Sequence, residues 1–365
     1  MRLARPNYGS VVTLDGNGPG KALDAGHGRA HARPVTLADI AQAAGTSPST
    51  ASRALNGRGY VATDVRTRLL AAAEQLGYVP NASARTLKQR TSRVVGVVVS
   101  DLRNQFYATL AAGIEETLRA VDYQVVLISD NSESVHEMDG ARTFLAMRAA
   151  GVIMTPVGHD AATLLSRHGV GVVEVDRQLA RVPCDAVVID NEGGAREATG
   201  HLLAAGHRRV ALLVAETDWT TDAGRLQGYR SAHAAAGVAV DERLILPIRF
   251  NAPDAGDRIA ALVDIEGPSA IFAANNVLAG QAWHVLRRRG LEIPGDVSLV
   301  AFDDVPWMSM TDPGITAVAQ PTLEMGRRAA QLLVQRLDEP EREPAVESLR
   351  PSLIVRASTA SPAGS

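Results

Sequence analysis

"AGTSPSTASRALNG", residues 44–57, decides how the chain is read. Gly45 supplies a residue that tolerates positive φ, Ser47 is an N-cap residue type, and Pro48 falls at the first helical position, where a missing N–H costs nothing. The stretch therefore predicts a tight turn followed by a helix. On that helix Ala51, Ala54 and Leu55 share a small apolar face, whereas Ser49, Ser52, Arg53 and Asn56 share the opposite one. A solvent-facing helix ordinarily carries Glu and Lys. Short hydroxyl side chains let a helix sit deep in a DNA groove, and one arginine with bidentate reach can read a guanine edge.

The flanks extend the pattern. Upstream, Thr36 can cap a helix in which Leu37, Ile40, Ala41 and Ala44 recur at helical spacing. Downstream, Thr63 can cap another with Val65, Leu69, Ala72, Ala73 and Leu76 on one stripe, ended by Gly77. Helix, glycine turn, helix and supporting helix is the helix-turn-helix layout, whose second helix enters the major groove. A small three-helix module that binds protein is the alternative. Charge weighs against it, because residues 1–90 hold 12 Lys+Arg against 5 Asp+Glu, while the rest of the chain has 25 against 35.

Residues 80–93, "PNASARTLKQRTSR", begin like a helix but offer only about eight helical residues, too few to hold alone. Ala84 and Leu87 share a face, flanked by Arg85, Lys88 and Arg90. This segment is expected to order on DNA, with Leu87 as a wedge entering from the minor groove. A flexible basic linker is the plainer reading. Residues 1–33, rich in Gly, Pro, Arg and His without an apolar period, read as a disordered extension.

From Val94 onward the chain alternates short β-branched runs, such as "VVGVVVS", "GVIMT", "AVVID" and "VSLVAF", with helical stretches. Runs without polar alternation suit parallel strands buried on both faces, so a doubly wound α/β architecture follows. Nearly every run ends in polar residues: Asp101, Asp130, Asp176 with Arg177, Asp190 with Asn191, Asn275 with Asn276, Asp303 with Asp304. Ligands in such sheets bind beyond the carboxyl ends of strands. Any one of these residues could simply cap a helix. As a set, with Arg225 and the flat faces of Phe106, Tyr107 and Trp219, they suit a sugar, and a nucleobase or small acid would also fit.

The excluded classes are informative. No apolar run reaches the roughly 18 residues of a membrane span, the N-terminal region lacks a signal peptide's apolar stretch, and the single cysteine, Cys184, offers neither an intrachain disulfide nor a metal cluster. A cytoplasmic protein is expected. An α/β enzyme would need reactive chemistry, yet C-x-x-C, H-E-x-x-H and G-x-S-x-G are all missing. "GNGPGKAL" at 16–23 lacks the glycine spacing and Ser/Thr of a phosphate loop. No catalytic residue, metal or cofactor is assigned. A periplasmic-type solute-binding protein would share the clamp but not residues 35–90.

"VTLADIAQAAGTSPSTASRALNG" with "TRLLAAAEQLGYVPNASARTLKQRTSRVVGVVV" strongly resembles the lactose-repressor (LacI/GalR) family of bacterial transcription regulators, over residues 35 to about 356. The resemblance implies a helix-turn-helix headpiece at 34–79, a hinge helix at 80–91, and a periplasmic-binding-protein-like core of two parallel-sheet subdomains, about 92–189 with 319–348 and about 190–318 with 349–357. Residues 358–365 read as a loose tail. Pro48, Ser49 and Arg53 then fall at the family's major-groove positions and Leu87 at its minor-groove leucine. Thr36, Ser47, Thr50, Ser52, Asn56, Asn81, Ala84 and Lys88 complete the DNA-contacting set. Asp101, Phe106 or Tyr107, Arg225 and Asp303 fall at its effector-pocket positions, and the strand-end and aromatic reading adds Asp176, Trp219 and Asn275 to the expected effector site. The implied protein is a homodimeric repressor on pseudo-palindromic operator DNA, controlled by a small molecule, most naturally a carbohydrate. Two departures are the length of residues 1–33 and Asn276 in place of the family's Asp.

Overall fold

The computed structural model describes residues 33, 35–55, 59–78, 92–179, 181–217, 219–249 and 252–362. Asn56 and the hinge residues Asn81, Ala84, Leu87 and Lys88 lie outside the described residues, as do 1–32. The chain divides into two units, Met1–Asn81 and Ala82–Ser365.

The first unit contains helices α1 (Leu37–Ala43), α2 (Pro48–Leu55) and α3 (Thr63–Gln75). Thr36 caps α1 in a reciprocal box: Asp39 N–H donates to the Thr36 hydroxyl at 3.4 Å, and Thr36 N–H donates to the Asp39 carboxylate at 2.8 Å. Arg33, assigned to the disordered extension, makes a two-pronged bond to that same carboxylate at 3.0 and 2.6 Å. Gly45 adopts φ +65°, and Ser47 accepts from Thr50 N–H at 3.2 Å at the start of α2. Ile40, Ala41, Ala44, Ala51, Ala54, Leu69 and Ala72 form the core. Alanines at the contact allow the helices to approach closely without bulky side chains. Two details differ from the sequence reading. Ala62, not Thr63, is the N-cap of α3, with Thr63 already helical, and Leu76 falls past the last turn and is 41% exposed.

The second unit contains strands β1 (Val94–Val99), β2 (Gln124–Ser129), β3 (Gly151–Met154), β4 (Gly171–Val175), β5 (Asp185–Ile189), β6 (Val210–Ala215), β7 (Ile245–Ile248), β8 (Ala270–Ala273), β9 (Ser298–Phe302), β10 (Thr316–Ala319), β11 (Val346–Leu349) and β12 (Ser352–Ile354). They form two six-stranded sheets, ordered β11-β5-β4-β3-β1-β2 and β12-β10-β9-β8-β6-β7. Every pairing is parallel except β10 with β12. The chain passes between the sheets after Ile189, after Ala319 and after Leu349. Three strands that the apolar runs do not announce, β7, β11 and β12, are all at sheet edges. Half-exposed strands need no continuous apolar run, and Pro247 is tolerated at such an edge.

Helices α4 (Gln105–Arg119), α5 (Ser134–Ala146) and α6 (Asp160–Arg167) belong to the first lobe. The second holds α7 (Asn191–Ala204), α8 (Thr220–Ala235), α9 (Ala255–Glu266), α10 (Asn276–Arg288) and the short α11 (Trp307–Met310), while α12 (Thr322–Asp338) returns to the first. Gly113 on α4 and Gly326 on α12 place the two backbones in direct contact: a Cβ on either would overlap a carbonyl of the other helix, Leu323 or Leu110. Trp283 on α10 packs half-buried against the core of the second lobe. Among the described residues no helix is long and apolar enough to cross a membrane.

Residues 358–360 of the expected loose tail are instead sewn into the second lobe, and 363–365 lie outside the described residues. Ser358 is fully buried, its hydroxyl donating to the Leu299 carbonyl at 2.6 Å, and the buried His207 ring reaches the Ala360 carbonyl at 2.9 Å. Polar composition suggested a solvated end. In the fold those hydroxyls satisfy backbone groups at the margin of the second sheet.

Candidate functional site

Helix α2 contains no acidic residue, and Pro48, Ser49 and Arg53 are exposed on it. The hydroxyls of Ser49 and Thr50 each lie 2.9 Å from that of Ser47, and Arg53 Nε donates back to the Ser49 carbonyl at 3.4 Å. Ser47 and Thr36 thus serve helix starts, while Ser49 and Arg53 are the exposed polar side chains of α2 among the described residues. Ser52 is half-buried.

In the second unit, the carboxyl ends of the two sheets face one another across a central cavity of about 50 Å³. Tyr107, Phe106, Asp176, Trp219, Arg225, Asn275 and Asp303, all picked out in the sequence, line it. Asp101 does not. It is held by Arg103, whose backbone and guanidinium donate to its carboxylate at 2.9 to 3.0 Å, a local bond two residues along that no strand-end pattern anticipates.

Asp176 and Asp303 occupy matching places. Each follows a central strand, β4 or β9, in the left-handed region with φ +72° and +69°, and each donates its N–H to the neighbouring strand, at Val187 or Val318. Aspartate is among the few side chains that adopt this backbone readily. The turn aims both carboxylates into the cleft.

Two buried arginines organise the walls. Arg225 donates from Nε to the Asn191 side chain at 2.9 Å and from Nη1 to the Ala274 carbonyl at 2.6 Å, lies 3.8 Å from Asp303, and stacks 3.9 Å over the Phe302 ring. Arg177, grouped in the sequence with the strand-end residues but not assigned to the effector pocket, donates to the Pro156 carbonyl, Ser100 and the Tyr107 hydroxyl at 2.9 to 3.1 Å. Its guanidinium lies 3.4 Å from the Trp219 ring centre. Gln320, Asp222 and Asn104 also line the cavity. Gln320 donates to Asp303 at 2.5 Å from a crossover whose course only the tertiary fold determines.

Contacts between the lobes run through these same walls. Trp219 Nε1 donates to the Val157 carbonyl at 3.3 Å, and Asn276 donates to Asn104 at 2.9 Å. Asn275 stays with its own helix, accepting from Leu278 N–H at 2.8 Å. The Asn276 side chain, where the family's carboxylate would stand, is therefore a donor across the cleft.

Burial sets the electrostatics. It pushes Asp176 up to about 6 against the pull of Arg177 and Arg225, and Tyr107 up to about 12. Behind the cleft, Glu137 accepts from Val157 and Gly158 N–H at 2.8 and 3.2 Å, fixing the loop that meets Trp219. Burial raises Glu137 to about 7, and its neighbour Asp130 to about 6. Unfolded carboxylates titrate near 4. Between that value and the raised ones the folded chain holds protons the unfolded chain has released, so these groups make stability fall as pH rises through about 6 to 7. His201, His207 and His233, lowered by burial, act in the opposite sense. Glu137→Gln removes only its own share. Melting temperature against pH should therefore decline less steeply in the variant than in the parent between about pH 5.5 and 7.5; parallel curves would contradict the assignment.

Comparison with known proteins places both units. A model of the bacterial regulatory proteins of the lacI family matches residues 36–81, and one of a periplasmic binding protein-like domain matches residues 199–359. The transcriptional regulator DegA of Bacillus subtilis (strain 168) is 32% identical over 80% of this chain and 88% of its own length. Among solved structures, the regulator CelR in complex with cellobiose aligns with a TM-score of 0.68 and 32% identity over 89% of this chain and all of that one. The lac repressor dimer bound to operator and the anti-inducer ONPF aligns with a TM-score of 0.78 and 25% identity, covering 90% of this chain and 100% of that chain.

Proposed function

The chain belongs to the LacI family of bacterial regulatory proteins and is a DNA-binding transcriptional regulator; from that premise we propose how its residues divide the work. Helix α2 reads the operator's major groove through Pro48, Ser49 and Arg53, and residues 80–91 form the hinge, with Leu87 entering the minor groove. The inter-lobe cavity takes a small effector. A carbohydrate fits its mixture of carboxylates, amides, guanidinium groups and flat aromatic faces, and the related CelR structure holds cellobiose. The protein works as a cytoplasmic homodimer that represses by holding two headpieces on a pseudo-palindrome, as the lac repressor dimer sits on its operator.

One observation carries this reading: two hydrogen bonds joining the lobes across the cleft, Trp219 to Val157 and Asn276 to Asn104, each have one partner, Trp219 or Asn104, in the wall of the ligand cavity. A molecule that enters meets Trp219 and Asn104, and through their partners acts on the angle between lobes. Because the hinge is too short to hold as an isolated helix, a change in the spacing of its two copies alters how readily it forms on DNA. Coupling of about 1–3 kcal/mol changes operator affinity by about 5–150-fold.

Selection of DNA fragments by the purified full-length protein tests this. Enriched fragments should share a palindrome, and Arg53→Ala should reduce discrimination between that palindrome and single-base variants by about 1–3 kcal/mol at fixed salt. Equal discrimination by parent and variant would remove Arg53 from the reading role. No enrichment over random duplex would remove the operator itself.

A further inference from the structure

We propose that the effector is an uncharged molecule rich in hydroxyl donors, and that sugar phosphates and sugar acids are excluded by the charge of the cleft. The inference rests on the effector reading of the cavity and adds to it the chemical class of ligand.

Three carboxylates, Asp176, Asp222 and Asp303, and two guanidinium groups, Arg177 and Arg225, line the central cavity. All five are buried. An anion needs a guanidinium free to turn toward it, and both arginines are tethered within the walls, with Arg177 Nε left without a hydrogen bond. Arg177 is bound to three lobe 1 oxygens and covered by Trp219, while Arg225 is bound to Asn191 and Ala274 and faces Asp303. Two of the carboxylates also have open acceptor capacity. Among the described residues, Asp176 meets only Arg177 Nε, at 3.5 Å, and Asp222 accepts one hydroxyl bond, from Thr217 at 2.5 Å. Hydroxyl hydrogens complete such acceptors; another carboxylate or a phosphate cannot.

The approaches have the same sign. A chamber of about 570 Å³ shares Asp176 with the central cavity and adds Asp190 and Glu192 against Arg350. Another of about 450 Å³ shares Asp303 with it and adds Asp304 and Glu324 against Arg327, with Asp304 paired to Arg356 at 2.7 Å. Carboxylates outnumber cations in all three spaces. A low-dielectric cleft focuses that potential, which attracts a cation, is indifferent to a neutral polyol and repels an anion before contact. Like charges brought together on binding then add to the penalty.

Calorimetric titration of the full-length protein with matched sets decides the matter: glucose, glucose 6-phosphate, glucuronate and glucosamine; ribose and ribose 5-phosphate; cellobiose and cellobionate. The neutral member of whichever set binds should bind about tenfold or more tightly than its anionic counterparts, with glucosamine no weaker than glucose. Asp176→Asn, which the left-handed backbone accommodates, should narrow the gap. A phosphate ester or sugar acid binding as tightly as its neutral parent overturns the proposal while leaving the carbohydrate reading intact. A neutral nucleobase such as adenine or hypoxanthine, titrated alongside, that binds where every sugar fails overturns both the carbohydrate reading and the proposal that hydroxyl donors are selected. If no sugar or nucleobase of any charge binds while operator binding persists, both readings fall.

Discussion

Arg225→Ala should abolish the effector response, lowering effector affinity by more than about 100-fold while the headpiece still binds DNA. The side chain is 4% exposed and joins three elements: Asn191 at the start of α7, the carbonyl of Ala274 at the end of β8, and the Asp303 turn after β9. Its truncation leaves Asp303 and Asp176 without their nearest cation in the second lobe. Breaking a buried pair by removing one partner costs about 3–5 kcal/mol, because the remaining charge stays buried. Part of that loss falls on stability, so circular dichroism must accompany calorimetry. Arg225→Lys restores a charge without the planar fork and should recover stability more than affinity. A normal effector titration in the folded alanine variant would remove Arg225 from the site.

Gly326→Val should be the most damaging single change outside the site, with a loss of about 3 kcal/mol or more in urea unfolding, enough to leave much of the protein unfolded or aggregated. The obstruction is not a rotatable side chain. A Cβ at Gly326 meets the Leu110 carbonyl and the backbone of Ile114 and Gly113, so α4 and α12 must separate along their shared face above the first sheet. Separation opens space around Ile114 and Met325, which are fully buried in the same core. Gly200 on α7 provides the control, since nothing lies within 4 Å of a Cβ placed there. Gly200→Ala should raise stability by about 0.5–1 kcal/mol through helix propensity alone. Equal effects of the two substitutions would mean that the glycine contact is not what holds α4 to α12.

The headpiece was legible in the sequence because its signals are local: a proline at the first turn, a glycine before it and alanines at one spacing identify α2 without reference to anything distant. The central strands were legible for a similar reason, since burial on both faces leaves no room for polar alternation. What escaped depends on distance. Strands β7, β11 and β12 hide at sheet edges, Ser358 and Ala360 find partners in Leu299 and His207 that lie remote in sequence, and Gln320 reaches Asp303 from a crossover. Arg177 was visible beside Asp176 but looked like one more strand-end polar residue. Its importance comes from Tyr107 and Trp219, one from each lobe, meeting it in space. Asp101 shows the converse: a strand-end carboxylate is satisfied by Arg103 before any ligand arrives.

The paired left-handed turns at Asp176 and Asp303 have a consequence for how such a receptor changes its diet. Besides glycine, asparagine and aspartate are the residues most at home in that backbone geometry. Exchange between those two leaves the turn in place and alters the cleft by one unit of charge. A lineage, or an engineer building a biosensor, can thus move from neutral toward acidic metabolites by two small steps, without rebuilding the scaffold that transmits the signal.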